Sequence, residues 1–187
     1  MSSPSPPNSA MTTTDQGETS DWSDAVFAAM KARDIGTVAT VPDGGLVRLL
    51  NLCQDDPDLR VVTLSSEQEG VGLIAGLWLG GERGVLLMQS SGAGNCINAL
   101  SLPAICRIPC LMLVTMRGEW GEQNPWQVPM GRAVESCLTA MGVHCFRADA
   151  AEQVGEGFAA AADLAFNGGF SAAVLVGQRV IGAKSFQ

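Results

Sequence analysis

The stretch SSEQEGVGLIAGLWLGGERGVLLMQSSGAGN, residues 65–95, decides the fold. Behind its leading Glu67 and Glu69 it stays apolar or small as far as Leu79, too long for a strand, and reads as a buried helix over 67–80. After the Gly80-Gly81 break, GVLLM (84–88) is apolar at every position, the mark of a strand covered on both faces. A helix followed by such a strand is the repeating unit of a parallel α/β sheet.

Working outward, the same unit recurs. The periodicity places strands at 35–41, 59–64, 109–116, 143–146 and 172–176. Helices are expected at 22–33, 46–53, 95–105 (loosened at Pro103), 130–141 and 151–166. The expected fold is α/β, a doubly wound, mostly parallel six-stranded sheet with helices on both faces. Four polar or glycine-rich segments, 42–45, 65–69, 89–95 and 117–129, then follow strands. Open parallel sheets bind ligands beyond the carboxyl ends of their strands, so these segments mark one functional edge.

Composition narrows the partners. Hydrophobic residues make up 47% of the 187 and charged residues 16%, a balance that leans toward burial in an assembly. The net charge of −8, without a basic cluster, argues against nucleic acid and anionic membrane. Residues 1–20 are rich in Ser, Thr and Pro and read as a disordered tail, 21–180 as the domain, and 181–187 as a C-terminal tail. The start has neither a basic segment nor an apolar core, and Glu82, Arg83 and Arg107 interrupt every long apolar run. A cytoplasmic location is expected. The six cysteines form no CxxC pair and are expected as reduced thiols, with no metal site on this chain.

Among candidate residues, Ser66 and Glu69 fit a capping box, which leaves Glu67 unexplained except as a first-turn carboxylate. SSGAGN (90–95) is either a tight turn or a phosphate cradle, and it fails as a dinucleotide fingerprint because Ile97 holds the third glycine position. Neither Ser90 nor Ser91 lies in GxSxG, and His144 is the only imidazole. The loop 117–129 carries Arg117, Glu119, Glu122, Gln123, Gln127, Trp120 and Trp126, and long polar loops in compact domains are usually functional or disordered. Arg117 is open between an anion contact and a salt bridge to Glu119 or Glu122.

Taken in order, VPDG (41–44), EQEGVGLIAG (67–76), SSGAGN with INAL (97–100), RGEWGE (117–122) and PMG (129–131) resemble the pyrimidine-binding domain of thiamine diphosphate-dependent 2-oxo acid decarboxylases. Within that family the chain is most similar to the separately encoded alpha subunit of sulfopyruvate decarboxylase, with phosphonopyruvate decarboxylase nearby, over roughly residues 22–180. The resemblance implies that Glu67 hydrogen-bonds N1′ of the cofactor's aminopyrimidine and promotes the tautomer that activates the thiazolium. That chemistry needs a carboxyl in an apolar setting able to share a proton near neutrality. It also implies cofactor contacts from Pro42, Asp43, Gly44, Gly92 and Asn95, and substrate contacts from Gln89, Ser90, Ser91, Arg117 and Gln127. Gln127 lies in NPWQVPMG, where relatives often carry a histidine. The family's Gly-Asp-Gly and paired-asparagine signature for magnesium and diphosphate is missing, so Mg2+ is expected on a second, different subunit. A decarboxylase acting on a sulfopyruvate- or phosphonopyruvate-like acid is the leading reading. A thiamine-dependent carboligase or synthase subunit and a non-catalytic paralogue stand as alternatives.

Overall fold

The computed structural model describes residues 21–183, so the tail expected at 1–20 and most of that expected at 181–187 lie outside it. Six strands form one wholly parallel sheet: β1 (Ile35–Thr40), β2 (Arg60–Thr63), β3 (Arg83–Gln89), β4 (Cys110–Thr115), β5 (His144–Ala148) and β6 (Ser171–Val176). Their order is β2-β1-β3-β4-β6-β5. The central strands are buried as their uninterrupted apolar runs require, whereas the edge strands β2 and β5 are half-exposed.

Period-two alternation divides each central strand between two cores. Val85 and Leu87 face a core built on Trp22, Val26, Leu49 and Phe158, from α1 (Trp22–Lys31), α2 (Val47–Asp55) and α7 (Ala151–Gly168). Leu86 and Met88 face the opposite core, with Val71, Ile74, Val134 and Leu138 from α3 (Glu67–Leu79) and α6 (Gln127–Ala140). The chain leaves β1 through α2 on one face, turns at β2, and returns through α3 on the other. Strand order therefore reverses between β1 and β3. This is the topological switch point, where a crevice opens beyond the strand ends.

Three local expectations are corrected. SSGAGN is not a turn but most of a short helix, α4 (Ser90–Cys96). Its small residues allow close packing, since a Cβ on Gly92 would collide with the Glu67 carboxyl and one on Gly94 would sit 3.0 Å from Met130 Sδ. The helical stretch after it breaks before Pro103, which lies in the first turns of α5 (Ser101–Cys106), where a missing N–H is tolerated. Packed chain also continues past 180: α8 (Gln178–Ile181) sets Val180 and Ile181 against the first core. Among the described residues no helix is long and apolar enough to cross a membrane.

Helix contacts make opposite demands on two glycines. A Cβ at Gly155 in α7 would lie 2.6 Å from Ala25 Cβ of α1, whereas one at Gly76 in α3 would meet nothing within 4 Å. Alanine raises helix propensity by about 1 kcal/mol at either site. Gly76→Ala is therefore expected to raise the melting temperature of the purified protein, and Gly155→Ala to lower it because α1 and α7 must separate. Thermal unfolding checks both, and a higher melting temperature for Gly155→Ala would contradict this packing.

Candidate active site

The four segments meet at the switch point. Glu67, the first residue of α3, is carried into the crevice and is only 8% exposed. Asn95 Nδ2 of α4 donates to Glu67 Oε2 at 2.9 Å, and Gly92 leaves the space that the carboxyl fills. Among the described residues Oε1 receives no hydrogen bond, so one acceptor is fixed and the other is available. A buried carboxyl half-satisfied by the protein is costly unless a further donor joins it.

Glu69 has a different task. Its Oε2 accepts from the Ser65 amide at 2.9 Å and the Ser65 hydroxyl at 2.8 Å. Those donors, the amide foremost, hold its carboxyl below the ordinary range. The expected capping box is corrected by one position: Ser66 is the cap by backbone but its hydroxyl makes no cap bond. Ser65 supplies both groups that Glu69 binds.

Beside this pair lies a second polar group. Asp43 caps a 3-10 turn at Gly44–Leu46, with Gly45 N donating to Oδ2 at 3.0 Å and Thr115 Oγ1 to the same oxygen at 3.2 Å. Gln89 Nε2 donates to Asp43 Oδ1 at 2.7 Å, and Ser91 Oγ donates to Gln89 Oε1 at 2.7 Å. The loops after β1, β3 and β4 are thereby joined. Pro42 and Gly44 are exposed beside them. Ser90 is fully buried, and its hydroxyl accepts the amide of Arg117 at 3.0 Å.

Arg117 takes the salt-bridge alternative, with Glu122. Nε and Nη2 each donate at 2.6 Å to the two Glu122 oxygens, and both side chains are 3% exposed. Glu122 also accepts from the Gly118, Asn124 and Gln178 nitrogens, and Arg117 before all of these pulls its carboxyl down to about 2. Glu119 is drawn instead to Arg147, which grips it at 2.6 and 2.7 Å. Gly118, at φ 79°, brings the loop against the Gln127 carbonyl, where a Cβ would clash, and Gly131 receives the Arg117 carbonyl equally closely. Gln127 opens α6 with Oε1 buried and, among the described residues, without a hydrogen-bond partner.

Gln178 escaped the sequence reading. Only 1% exposed, it accepts the amides of Glu119 and Trp120 through Oε1 and donates to Glu122. Its place two residues beyond β6, on the same sheet edge, was the available signal. Other candidate chemistry falls away by position. His144 begins β5 at the opposite end of the sheet, against the Phe170 ring. All six cysteines are free thiols; Cys53, Cys96 and Cys110 are buried, and Cys106 is exposed. Burial pushes the Cys96 thiol up to about 12.

Sequence comparison bears on this crevice directly. Residues 21–135 match the model of the thiamine pyrophosphate enzyme N-terminal TPP-binding domain, a span that includes Asp43, Glu67, Gly92 and Asn95. The chain belongs to this thiamine pyrophosphate enzyme family. It is 33% identical to the protein named sulfopyruvate decarboxylase subunit alpha of Methanococcus maripaludis, over 82% of this chain and 93% of that one. Its identity to the protein of the same name in Methanothermobacter thermautotrophicus is 39%, over 73% and 86% of the two chains. A phosphonopyruvate decarboxylase of Streptomyces viridochromogenes is 38% identical over 60% of this chain and 29% of its own length. Among solved structures, 2-oxoglutarate:ferredoxin oxidoreductase from Magnetococcus marinus superposes with a TM-score of 0.70 at 13% identity, covering 86% of this chain and 29% of that one. That likeness establishes the α/β fold alone.

The crevice fits the family's cofactor. A planar aminopyrimidine needs a buried carboxyl with one oxygen unclaimed, and Glu67 provides it, seated in the room that Gly92 leaves and held at the other oxygen by Asn95.

The buried Arg117–Glu122 pair carries a pH signature. Because the folded protein holds Glu122 near 2 rather than at its ordinary 4.5, its contribution is complete above pH 4.5 and is lost as pH falls from there toward 2. Glu122→Gln removes that component and strands the guanidinium, at a cost of about 3–5 kcal/mol at neutral pH. Melting temperatures between pH 7 and 2.5 check it: the variant should start lower and fall less steeply below pH 4.5. Parallel wild-type and variant curves would contradict it.

Proposed function

We propose that this chain is the subunit that holds the aminopyrimidine half of thiamine diphosphate in a hetero-oligomeric decarboxylase of 2-oxo acids. The observation that carries this is the buried Glu67 carboxyl, fixed through one oxygen by Asn95 and unclaimed at the other. The relatives' names support the reaction class, since sulfopyruvate and phosphonopyruvate are both 2-oxo acids that lose carbon dioxide. A thiamine diphosphate, when bound, supplies a thiazolium carbon that adds to the oxo group and accepts the electrons released with carbon dioxide.

The chain's own residues then have separate tasks. Glu67 Oε1 holds and returns a proton at a ring nitrogen of the aminopyrimidine, and Asn95 keeps the carboxyl from rotating away. Gly92 leaves the room in which the Glu67 carboxyl sits. The Pro42-Asp43-Gly44 loop borders the cofactor, with Asp43 held by Gln89, Gly45 and Thr115. Those contacts occupy both Asp43 oxygens, which speaks against its serving as a metal ligand. Magnesium and the diphosphate belong on the second subunit, in keeping with the word alpha in the names of relatives of nearly the same length. Gln89, Ser91 and Gln127 face the substrate from this side. Ser90 and Arg117 act on it indirectly, because their polar groups fasten the 117–122 loop. The exposed side chains of Leu79, Ile105, Trp120 and Trp126 suit a subunit interface, and a cytoplasmic location is part of this reading.

The test is carbon dioxide release by the complex co-purified on a tag carried by this chain. Glu67→Gln should lower turnover by about 10²–10⁴-fold, because glutamine keeps the shape but cannot exchange the proton. Glu69→Gln should cost less than about threefold, since an amide oxygen still accepts from Ser65. This chain alone, given thiamine diphosphate and magnesium, should release none. Equal losses from both substitutions, or full activity without a partner, would contradict the assignment.

A further inference from the structure

The structure assigns a substrate class to the crevice: we propose that it receives an uncharged, bulky side chain on the 2-oxo acid, aryl or branched alkyl, rather than a sulfonate or phosphonate. This rests on the decarboxylase reading above and specifies it. A cavity of about 800 Å3 opens between α4 and the start of α6, lined by Ser91, Asn95, Pro125, Trp126, Pro129 and Met130. Asn95 links it to Glu67 through their 2.9 Å hydrogen bond, so it adjoins the cofactor carboxyl. Its walls are mainly proline, tryptophan and methionine carbon and sulfur. Trp126, 81% exposed, has most of its ring surface still to bury.

A second acidic group would find poor company here. Sulfonates and phosphonates need guanidinium, ammonium or several N–H donors once out of water. None of the lining residues is cationic. On the same sheet edge, Arg117 is locked to Glu122, Arg147 to Glu119 and Asp149, and Arg179 lies over the Trp120 ring at 5.8 Å. Arg132 is exposed on α6 and is not part of the lining. The polar atoms are also of the wrong kind. Ser91 already donates to Gln89 and Asn95 to Glu67, and the unpartnered buried atom of Gln127 is an acceptor, Oε1. An aryl or branched alkyl group instead buries apolar area against Trp126, Pro129 and Met130, where full burial of one such group corresponds to about 10–100-fold in binding.

The experiment compares kcat/KM for carbon dioxide release by the co-purified complex with phenylpyruvate, 4-methyl-2-oxopentanoate, pyruvate and sulfopyruvate. Phenylpyruvate or 4-methyl-2-oxopentanoate should exceed sulfopyruvate by at least about tenfold. Trp126→Ala should lower kcat/KM for the preferred substrate by about tenfold or more, chiefly through KM, while pyruvate changes less than about threefold. Sulfopyruvate equal to or better than the bulky acids overturns the inference and leaves the decarboxylase reading standing. If Trp126→Ala lowers all substrates alike and weakens subunit association, the tryptophan is seated against the partner and the inference is again overturned. No carbon dioxide from any of the four, with thiamine diphosphate bound, removes the decarboxylase reading itself.

Discussion

The hydrogen bond from Asn95 Nδ2 to Glu67 Oε2 is the interaction on which the rest of the site depends. It joins the helix that follows β2 to the helix that follows β3, across the point where strand order reverses. A carboxyl carried into an apolar crevice must be satisfied or costs several kcal/mol, and a single partner satisfies half of it. That incomplete satisfaction leaves Oε1 free of protein donors among the described residues. Gly92 is its geometric counterpart, because any side chain there would occupy the volume of the Glu67 carboxyl.

A second constraint keeps the walls in place. The 117–122 loop is long and polar, yet Arg117, Glu122 and Gln178 close a buried network inside it, and Arg147 clamps Glu119 from β5. Gly118 and Gly131 then let that loop press backbone to backbone on the start of α6. The wall bearing Trp126 and Met130 thus inherits its position from the ion pairs of this loop, one of them anchored on β5 through Arg147. The same pairs engage both of these arginines, Arg117 with Glu122 and Arg147 with Glu119.

Much of this was legible in the sequence, for definite reasons. Strands buried on both faces are apolar at every position, so GVLLM and PCLMLVTM announced a parallel sheet and, through it, the edge where loops gather. The Glu67 anomaly was visible because a local bond at the helix start accounts for Glu69, to Ser65 rather than the expected Ser66, and leaves Glu67 over. SSGAGN misled because glycines ordinarily punctuate turns, whereas here Gly92 and Gly94 are required by Glu67 and Met130, residues distant in sequence. The partner of Arg117 was equally hidden. Glu119 and Glu122 are both within reach along the chain, and the choice is settled by Arg147, which takes Glu119 from 28 residues away. Gln178 was missed because its importance lies in backbone amides of another loop, which leave no trace in composition.

The central claim is that Glu67 moves a proton on the bound cofactor, and the rate of deuterium exchange at C2 of thiamine diphosphate measures this without substrate. In the assembled complex, exchange quenched in acid and read by proton NMR should be about 10²–10⁴-fold slower with Glu67→Gln than with the wild-type chain, the cofactor remaining bound in both. Equal exchange rates in the two complexes would contradict the account.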